Sequence, residues 1–127
     1  MIIKIDGRPV PAKRTTQRAK FTKSYQKYSA YKEHVRWCAI NQGHDFTFGD
    51  KLLEVVVFVN LFGGGKYNMG NDGDIDNYIK SALDSLNGVV FDDDRQVRKV
   101  HGIKSSVETK AKESMIIEVR EVAHEEI

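Results

Sequence analysis

The sequence predicts a single α+β domain in which a mixed sheet of about four strands packs with two main helices. Residues 51–60 are dominated by β-branched side chains on both faces, which is typical of a central strand. Two other segments carry apolar residues at three- and four-residue steps, the period of an amphipathic helix. The chain has 127 residues, of which 40% are hydrophobic, so we expect one core and one domain over residues 1–127.

The first third of the chain predicts a strand, a basic arm and a helix. Residues 2–6 alternate between apolar and polar and stop at a Gly-Arg-Pro sequence, which indicates a short strand and a turn. Residues 8–23 carry many basic and few apolar side chains, so we expect an arm or loop. Residues 24–41 predict the first helix. Its apolar positions are Tyr28, Tyr31, Val35, Cys38 and Ala39.

The second half of the chain predicts a glycine-rich connection, a second helix and two more strands. Residues 63–73 form the connection, and residues 75–86 predict a helix that ends at an Asn-Gly pair. Residues 96–107 and 114–122 predict strands. The apolar face of the second helix comprises Ile75, Ile79, Ala82, Leu83 and Leu86.

The composition indicates the redox state of the cysteine and the location of the protein. Cys38 is the only cysteine, so we expect a reduced thiol that packs as a small apolar side chain. No apolar run approaches the roughly 20 residues of a membrane span, and the N-terminus is too short and polar for a signal peptide, so we expect a cytoplasmic protein. Among the aromatic side chains, Tyr28, Tyr31 and Trp37 are expected in the core.

Charge is divided between two parts of the chain. Residues 1–40 hold ten basic side chains against two acidic ones, whereas residues 71–94 hold seven aspartates against Lys80 alone. The net charge of +2 conceals this division. A basic region that can hold phosphates, next to an acidic cluster that would repel them without a cation, favours a metal-dependent enzyme acting on nucleic acid.

The acidic segment has two simpler interpretations. The spacing of Asp72, Asp74 and Asp76 imitates the opening of an EF-hand calcium loop. Such a loop needs glycine at its sixth position and glutamate at its twelfth, and this sequence has neither, so the EF-hand is excluded. Alternatively, Asp76, Lys80 and Asp84 form a solvated ladder of ion pairs at i, i+4 spacing, which would explain these residues without any catalytic role.

A two-part acidic pattern covers the same segment. It is Asp74-x-Asp76-Asn77-x-x-Lys80-x-x-x-Asp84-x-Leu86, followed after a short spacer by Asp93-Asp94-x-Gln96-Val97. With this internal spacing, the pattern resembles the signature of the RusA family of Holliday junction resolvases. The resemblance implies a RusA-like α+β fold, with an acidic catalytic segment at residues 72–97. It also implies an endodeoxyribonuclease that cuts four-way DNA symmetrically during recombination and repair.

The resemblance assigns roles to individual residues. The family's catalytic carboxylates fall on Asp74, Asp76 and Asp94, which would also be the metal ligands. The essential lysine of the family falls on Lys80. Asp93 is either a further ligand or a structural support.

The implied reaction indicates a metal cofactor, a homodimer and contacts with DNA. Carboxylate oxygens suit Mg²⁺, for which we expect Mn²⁺ to substitute, and a bound ion of this kind assists phosphodiester hydrolysis. A four-way junction is nearly two-fold symmetric, so we expect a homodimer with one active site per subunit. Residues 52–59 or the first helix are the candidates for its interface. The basic residues expected to contact DNA phosphates are Arg8, Lys13, Arg14, Arg18, Lys20, Lys23 and Lys27.

Two other functions fit the same residues. One is a structure-selective nuclease that prefers other branched DNA, such as forks or flaps. The other is a catalytically silent DNA-binding module that keeps the basic region. The glycine-rich residues 63–70 contain only Lys66 as a basic side chain, and Asp72 and Asp92 are expected to be solvated loop charges.

Overall fold

The computed structural model describes residues 1–13, 22–42, 48–63 and 73–122. Two short 3-10 turns within these ranges, Asp94–Gln96 and Lys110–Lys112, precede the last two strands. The predicted α+β fold is confirmed, and each observed element lies within two residues of its predicted bounds. The main elements are β1 (Ile2–Asp6), α1 (Lys23–Asn41), β2 (Leu53–Phe62), α2 (Ile75–Leu86), β3 (Val97–Val107) and β4 (Ser114–Glu121).

The four strands form one mixed sheet in the order β1-β4-β2-β3. β2 pairs in parallel with β3 and antiparallel with β4, and β4 pairs antiparallel with β1. β2 is therefore an inner strand, as its β-branched sequence predicts. Parallel neighbours require a crossover connection, and α2 lies in the connection between β2 and β3.

Both helices cover the same face of the sheet. Val55, Val57 and Val59 of β2 point to this face and are fully buried, and each contributes about 1.5–3 kcal/mol of apolar burial. The hydroxyl of Tyr31 on α1 donates to the sulfur of Met115, which pairs with Val59 across the sheet. This contact places α1 over β4.

α2 approaches the sheet closely at Gly102 of β3. A Cβ atom at this position would lie 2.7 Å from Cδ1 of Ile79 and 2.9 Å from Cγ1 of Ile75. Gly102 pairs with Val57 and so belongs to the covered face. The missing side chain therefore lets α2, which carries the predicted catalytic residues Asp76 and Lys80, rest directly on the sheet.

The opposite face, called the open face below, carries more exposed side chains. Ile2 of β1 and Ile103 of β3 are 60% and 41% exposed. Glu54 is an exception because it is buried, with Arg120 and His101 from the two neighbouring strands as its partners. The hydrogen bond with His101 and that with Arg120 lower the pKa of Glu54.

α1 begins where its sequence allows a cap. Thr22 precedes the helix, and its hydroxyl accepts a hydrogen bond from the amide of Tyr25 at 3.2 Å. Tyr28, Tyr31 and Cys38 are buried, as the apolar periodicity predicts. None of the described helices has the length and apolar character needed to cross a membrane.

The prediction that Trp37 lies in the core is wrong. Trp37 is 61% exposed, and its ring stacks on that of His34 with 6.3 Å between the ring centroids. Trp37 follows the buried Tyr28 by nine residues, which is about two and a half helical turns, so it lies on the opposite side of α1. The position of the residue on the helix, and not its aromatic character, therefore decides its exposure.

Candidate active site

The predicted site begins at the N-terminus of α2. Asp74 is the N-cap residue, and its carbonyl oxygen accepts hydrogen bonds from the amides of Asn77 at 3.0 Å and Tyr78 at 3.3 Å. Its carboxylate makes no capping hydrogen bond, and both Asp74 and Asp76 are exposed. Two accessible carboxylates therefore stand at the positive end of the helix dipole, which favours negative charge there.

The segment before α2 is fixed to the rest of the domain. The amide of Gly73 donates to the hydroxyl of Tyr78 at 3.2 Å, and the ammonium of Lys104 on β3 donates to the carbonyl of Gly73 at 3.1 Å. A Cβ atom at Gly73 would come within 2.8 Å of the ring of Pro11, so this close approach requires glycine. Lys104, which the sequence analysis did not single out, thus brings a positive charge to the start of α2.

Asp76, Lys80 and Asp84 lie on one face of α2, spaced by about 6 Å along the helix axis. Lys80 is exposed and Asp84 is half-buried. Among the described residues, no ion pair of 4.0 Å or less involves Lys80. The solvated ladder of ion pairs is therefore not formed there, and the ammonium of Lys80 is accessible to a phosphate.

Asp93 caps the 3-10 turn that contains Asp94. Oδ1 of Asp93 accepts a hydrogen bond from the amide of Arg95 at 2.9 Å and lies 3.3 Å from Nε of the same residue. The backbone hydrogen bond from Arg95, followed by that from its side chain, lowers the pKa of Asp93. These contacts favour the structural alternative for Asp93, and its role as a metal ligand stays a prediction.

Gln96 anchors the same turn to the loop before β2. Its side-chain oxygen accepts from the amide of Asp93 at 2.7 Å, and its side-chain nitrogen donates to the carbonyls of Gly49 and Lys51, each at 2.7 Å. The residue is 8% exposed. Two of the three hydrogen bonds of this buried amide therefore fix the turn to the loop before β2, and the third closes the turn itself.

Asp94 is the first residue of this 3-10 turn and is half-buried. Burial is the main cause that raises the pKa of Asp94, followed by a hydrogen bond with Asp93 and the negative charges of Asp93 and Asp84. The positive charge of Lys80 acts in the opposite direction. The charges of Lys80 and Asp84 therefore act on Asp94, although these residues are separated from it in the sequence.

The three predicted metal ligands do not form a ready-made metal-binding cluster among the described residues. In residues 1–13, 22–42, 48–63 and 73–122, no group of three or more His, Cys, Asp or Glu side chains is arranged to hold a metal ion. Asp74 precedes Lys80 by six residues, or about 9 Å of helical rise. The set Asp74, Asp76 and Asp94 therefore stays a prediction.

The predicted DNA-binding residues fall into three groups. Arg8 pairs with the buried Glu113, which gives it a structural role beside β4. Lys13, Lys23 and Lys27 are exposed. The remaining three, Arg14, Arg18 and Lys20, lie outside the described residues, as does half of the predicted arm.

α1 contacts the acidic face of α2 through two side chains that the sequence analysis did not assign to the site. The hydroxyl of Tyr28 donates to Oδ2 of Asp84 at 2.9 Å. Arg36 donates through Nε to the carbonyl of Ser85 at 3.0 Å and through Nη2 to that of Asp84 at 3.3 Å. Burial, followed by the hydrogen bond to Asp84, raises the pKa of Tyr28, so its phenol stays protonated and remains a donor. Helical periodicity marked Tyr28 as buried but carried no signal for the partner of its hydroxyl.

Carboxylates around an accessible lysine, next to a helix with exposed basic residues, are the features of an enzyme that cleaves the backbone of nucleic acids. Residues 6–120 match the family model described as Endodeoxyribonuclease RusA, so the chain belongs to the RusA family. This membership indicates an endodeoxyribonuclease that resolves Holliday junctions, and it confirms the resemblance seen in the acidic pattern. A comparison with curated proteins finds no match.

Proposed function

We propose that this protein resolves Holliday junctions by a Mg²⁺-dependent reaction that cuts two opposed strands symmetrically. The observation that carries this proposal is the electrostatic effect of Lys80 and Asp84 on Asp94, because it relates the two parts of the acidic pattern to each other. Family membership supplies the substrate class. The metal, the symmetry of the cuts and the assembly are our inferences.

The residues of the site fit a hard divalent cation by their chemistry. We propose that Asp74, Asp76 and Asp94 hold Mg²⁺, since all three offer carboxylate oxygens and the first two are exposed. The carboxylate of Asp74 makes no capping hydrogen bond that a metal would have to displace. When bound, the cation would supply charge neutralisation at the phosphate and an activated water.

The protein itself contributes a cation and a positioned helix. Lys80 is accessible and stands one helical turn from both Asp76 and Asp84, so its ammonium can bind a non-bridging oxygen of the scissile phosphate. The negative charge that develops on that phosphate during cleavage would strengthen the contact. Lys80 therefore stabilises the transition state more than the bound substrate, which is the condition for a higher rate of cleavage.

Exposed lysines near the site support binding to the DNA backbone. Lys23 and Lys27 lie on the first turns of α1, the helix that contacts Asp84, and Lys13 follows β1. Contacts of this kind position a duplex without selecting its sequence. Phosphate contacts from Arg8, and from the basic residues outside the described ranges, stay part of the proposal.

A homodimer would place two sites on the two-fold symmetric junction. The open face of the sheet offers a surface for a second copy because Ile2 and Ile103 are exposed on it, and Phe58 pairs with Ile103. Sedimentation of the wild type and of the Ile103→Glu and Ile40→Glu variants tests this assembly. Dissociation by Ile103→Glu alone supports the open face, dissociation by Ile40→Glu alone favours α1, and a monomeric wild type removes the homodimer.

Cleavage of a synthetic four-way junction with and without Mg²⁺ tests the function. Paired symmetric nicks that require the metal support resolution. Cuts confined to forks or flaps favour a nuclease for other branched DNA. Binding without any cutting in Mg²⁺ or Mn²⁺ leaves the DNA-binding module as the function.

A further inference from the structure

The contact between α1 and α2 connects the interior of the protein with the acidic face of α2. Tyr28 is 1% exposed, and its hydroxyl donates to Oδ2 of Asp84 at 2.9 Å. Arg36, two turns further along α1, holds the backbone carbonyls of Asp84 and Ser85. Asp84 is thus fixed through both its side chain and its main chain by residues more than 40 positions away in the sequence.

The geometry leaves the second oxygen of Asp84 available to the site. Oδ2 is engaged by Tyr28, whereas Oδ1 accepts no hydrogen bond from the described residues. Lys80 stands one turn earlier on the same face of α2, and the charge of Asp84 reaches Asp94. A carboxylate that is held on one side and unoccupied on the other can orient a neighbouring ammonium.

We propose that Tyr28 is a positioning residue for the cleavage reaction. Its hydroxyl fixes the rotamer of Asp84. No ion pair joins Asp84 to Lys80 in the free protein, and we infer that Asp84 directs the Lys80 ammonium, one helical turn away, towards the scissile phosphate when DNA is bound. This inference rests on the proposed function, since it assigns roles within the same site. It adds two residues, Tyr28 and Asp84, to those that the acidic pattern and its resemblance assigned to the reaction.

The chain offers a matched control for this role. Tyr31 lies on the same helix, is also buried, and donates its hydroxyl to the uncharged sulfur of Met115. Tyr28→Phe and Tyr31→Phe therefore remove the same atom from the same helix, but only the first change frees Asp84. A loss of activity that merely reflects a weakened core would appear in both variants.

The test compares single-turnover cleavage of a four-way junction, junction affinity and thermal stability for the two variants. We expect Tyr28→Phe to cut about 10- to 100-fold more slowly at saturating enzyme. Its affinity for the junction should be unchanged, and Tyr31→Phe should stay within about 2-fold of the wild-type rate. Equal cleavage rates for Tyr28→Phe and the wild type overturn the inference while leaving the proposed function intact.

A double-mutant cycle separates positioning from a general structural effect. Asp84→Asn keeps the size of the side chain and an acceptor for Tyr28 but removes the charge, and we expect it to slow cleavage as well. The two changes act through one chain of contacts, so the double variant should be no slower than the slower single variant. Effects that multiply would overturn the inference, and a wild type that does not cut junctions removes it together with the proposed function.

Discussion

The buried amide of Gln96 allows a quantitative prediction about the turn that carries Asp94. Three hydrogen bonds, to the amide of Asp93 and the carbonyls of Gly49 and Lys51, are lost in Gln96→Ala. Each such bond contributes about 0.5–1.5 kcal/mol, so the free energy of unfolding should fall by roughly 1.5–4.5 kcal/mol. Gln96→Glu should be as harmful, because it replaces the donor by an oxygen that faces two carbonyls.

Urea denaturation and junction cleavage together measure this effect. Gln42→Ala is the matched control, since the Gln42 amide also makes two hydrogen bonds, to the backbone of Lys4, but is exposed and remote in sequence from the acidic pattern. We expect this control to lose about 1 kcal/mol or less and to cut at the wild-type rate. At a temperature where both variants are folded, only Gln96→Ala should cut slowly, because the turn that carries Asp94 is no longer fixed to the loop before β2.

Two results would refute this reasoning. Equal unfolding free energies for the Gln96→Ala and Gln42→Ala variants would mean that the three hydrogen bonds do not stabilise the fold. A destabilised Gln96→Ala that cuts at the full rate would mean that the turn does not position Asp94 for the reaction.

Three further predictions concern charge. Asp94→Asn should slow cleavage by about 100-fold or more while the affinity for the junction is kept. Asp92→Asn, which changes an exposed neighbour, should leave both cleavage and affinity unchanged. Full activity in Asp94→Asn would remove that residue from the mechanism. Because its hydrogen bonds lower the pKa of Glu54, its charged form stabilises the protein above the ordinary pKa near 4.5. The Tm difference between wild type and Glu54→Gln should therefore be largest near neutral pH and fade as the pH drops through the lowered pKa, and a difference independent of pH contradicts this. Lys27→Ala should reduce the slope of log affinity against log salt concentration by about 0.9. Lys112→Ala, on the turn before β4, only breaks an ion pair with Glu108 and should leave the slope unchanged. Equal slopes for both variants would exclude a phosphate contact by Lys27.

Much of the fold was predictable because its signals are local. The β-branched run of β2 and the apolar period of α2 each lie within one element, so their type and bounds follow from neighbouring residues. The same holds for the i, i+4 spacing of Asp76, Lys80 and Asp84, which lie on one face of any helix that includes them. The position of Trp37 was also present in the helical period, and it was missed because aromatic residues are usually associated with cores.

The tertiary structure decided which residues the polar side chains contact. Nothing near Tyr28 indicates Asp84, 56 residues away, and nothing near Arg8 indicates Glu113, 105 residues away. The sequence determined which residues are apolar, which are charged and which share a helix face, since these depend on composition and backbone period. Which of those faces meet depends on how the helices and strands pack, so the contacts of Tyr28 and Arg36 with Asp84 became visible only in the folded chain.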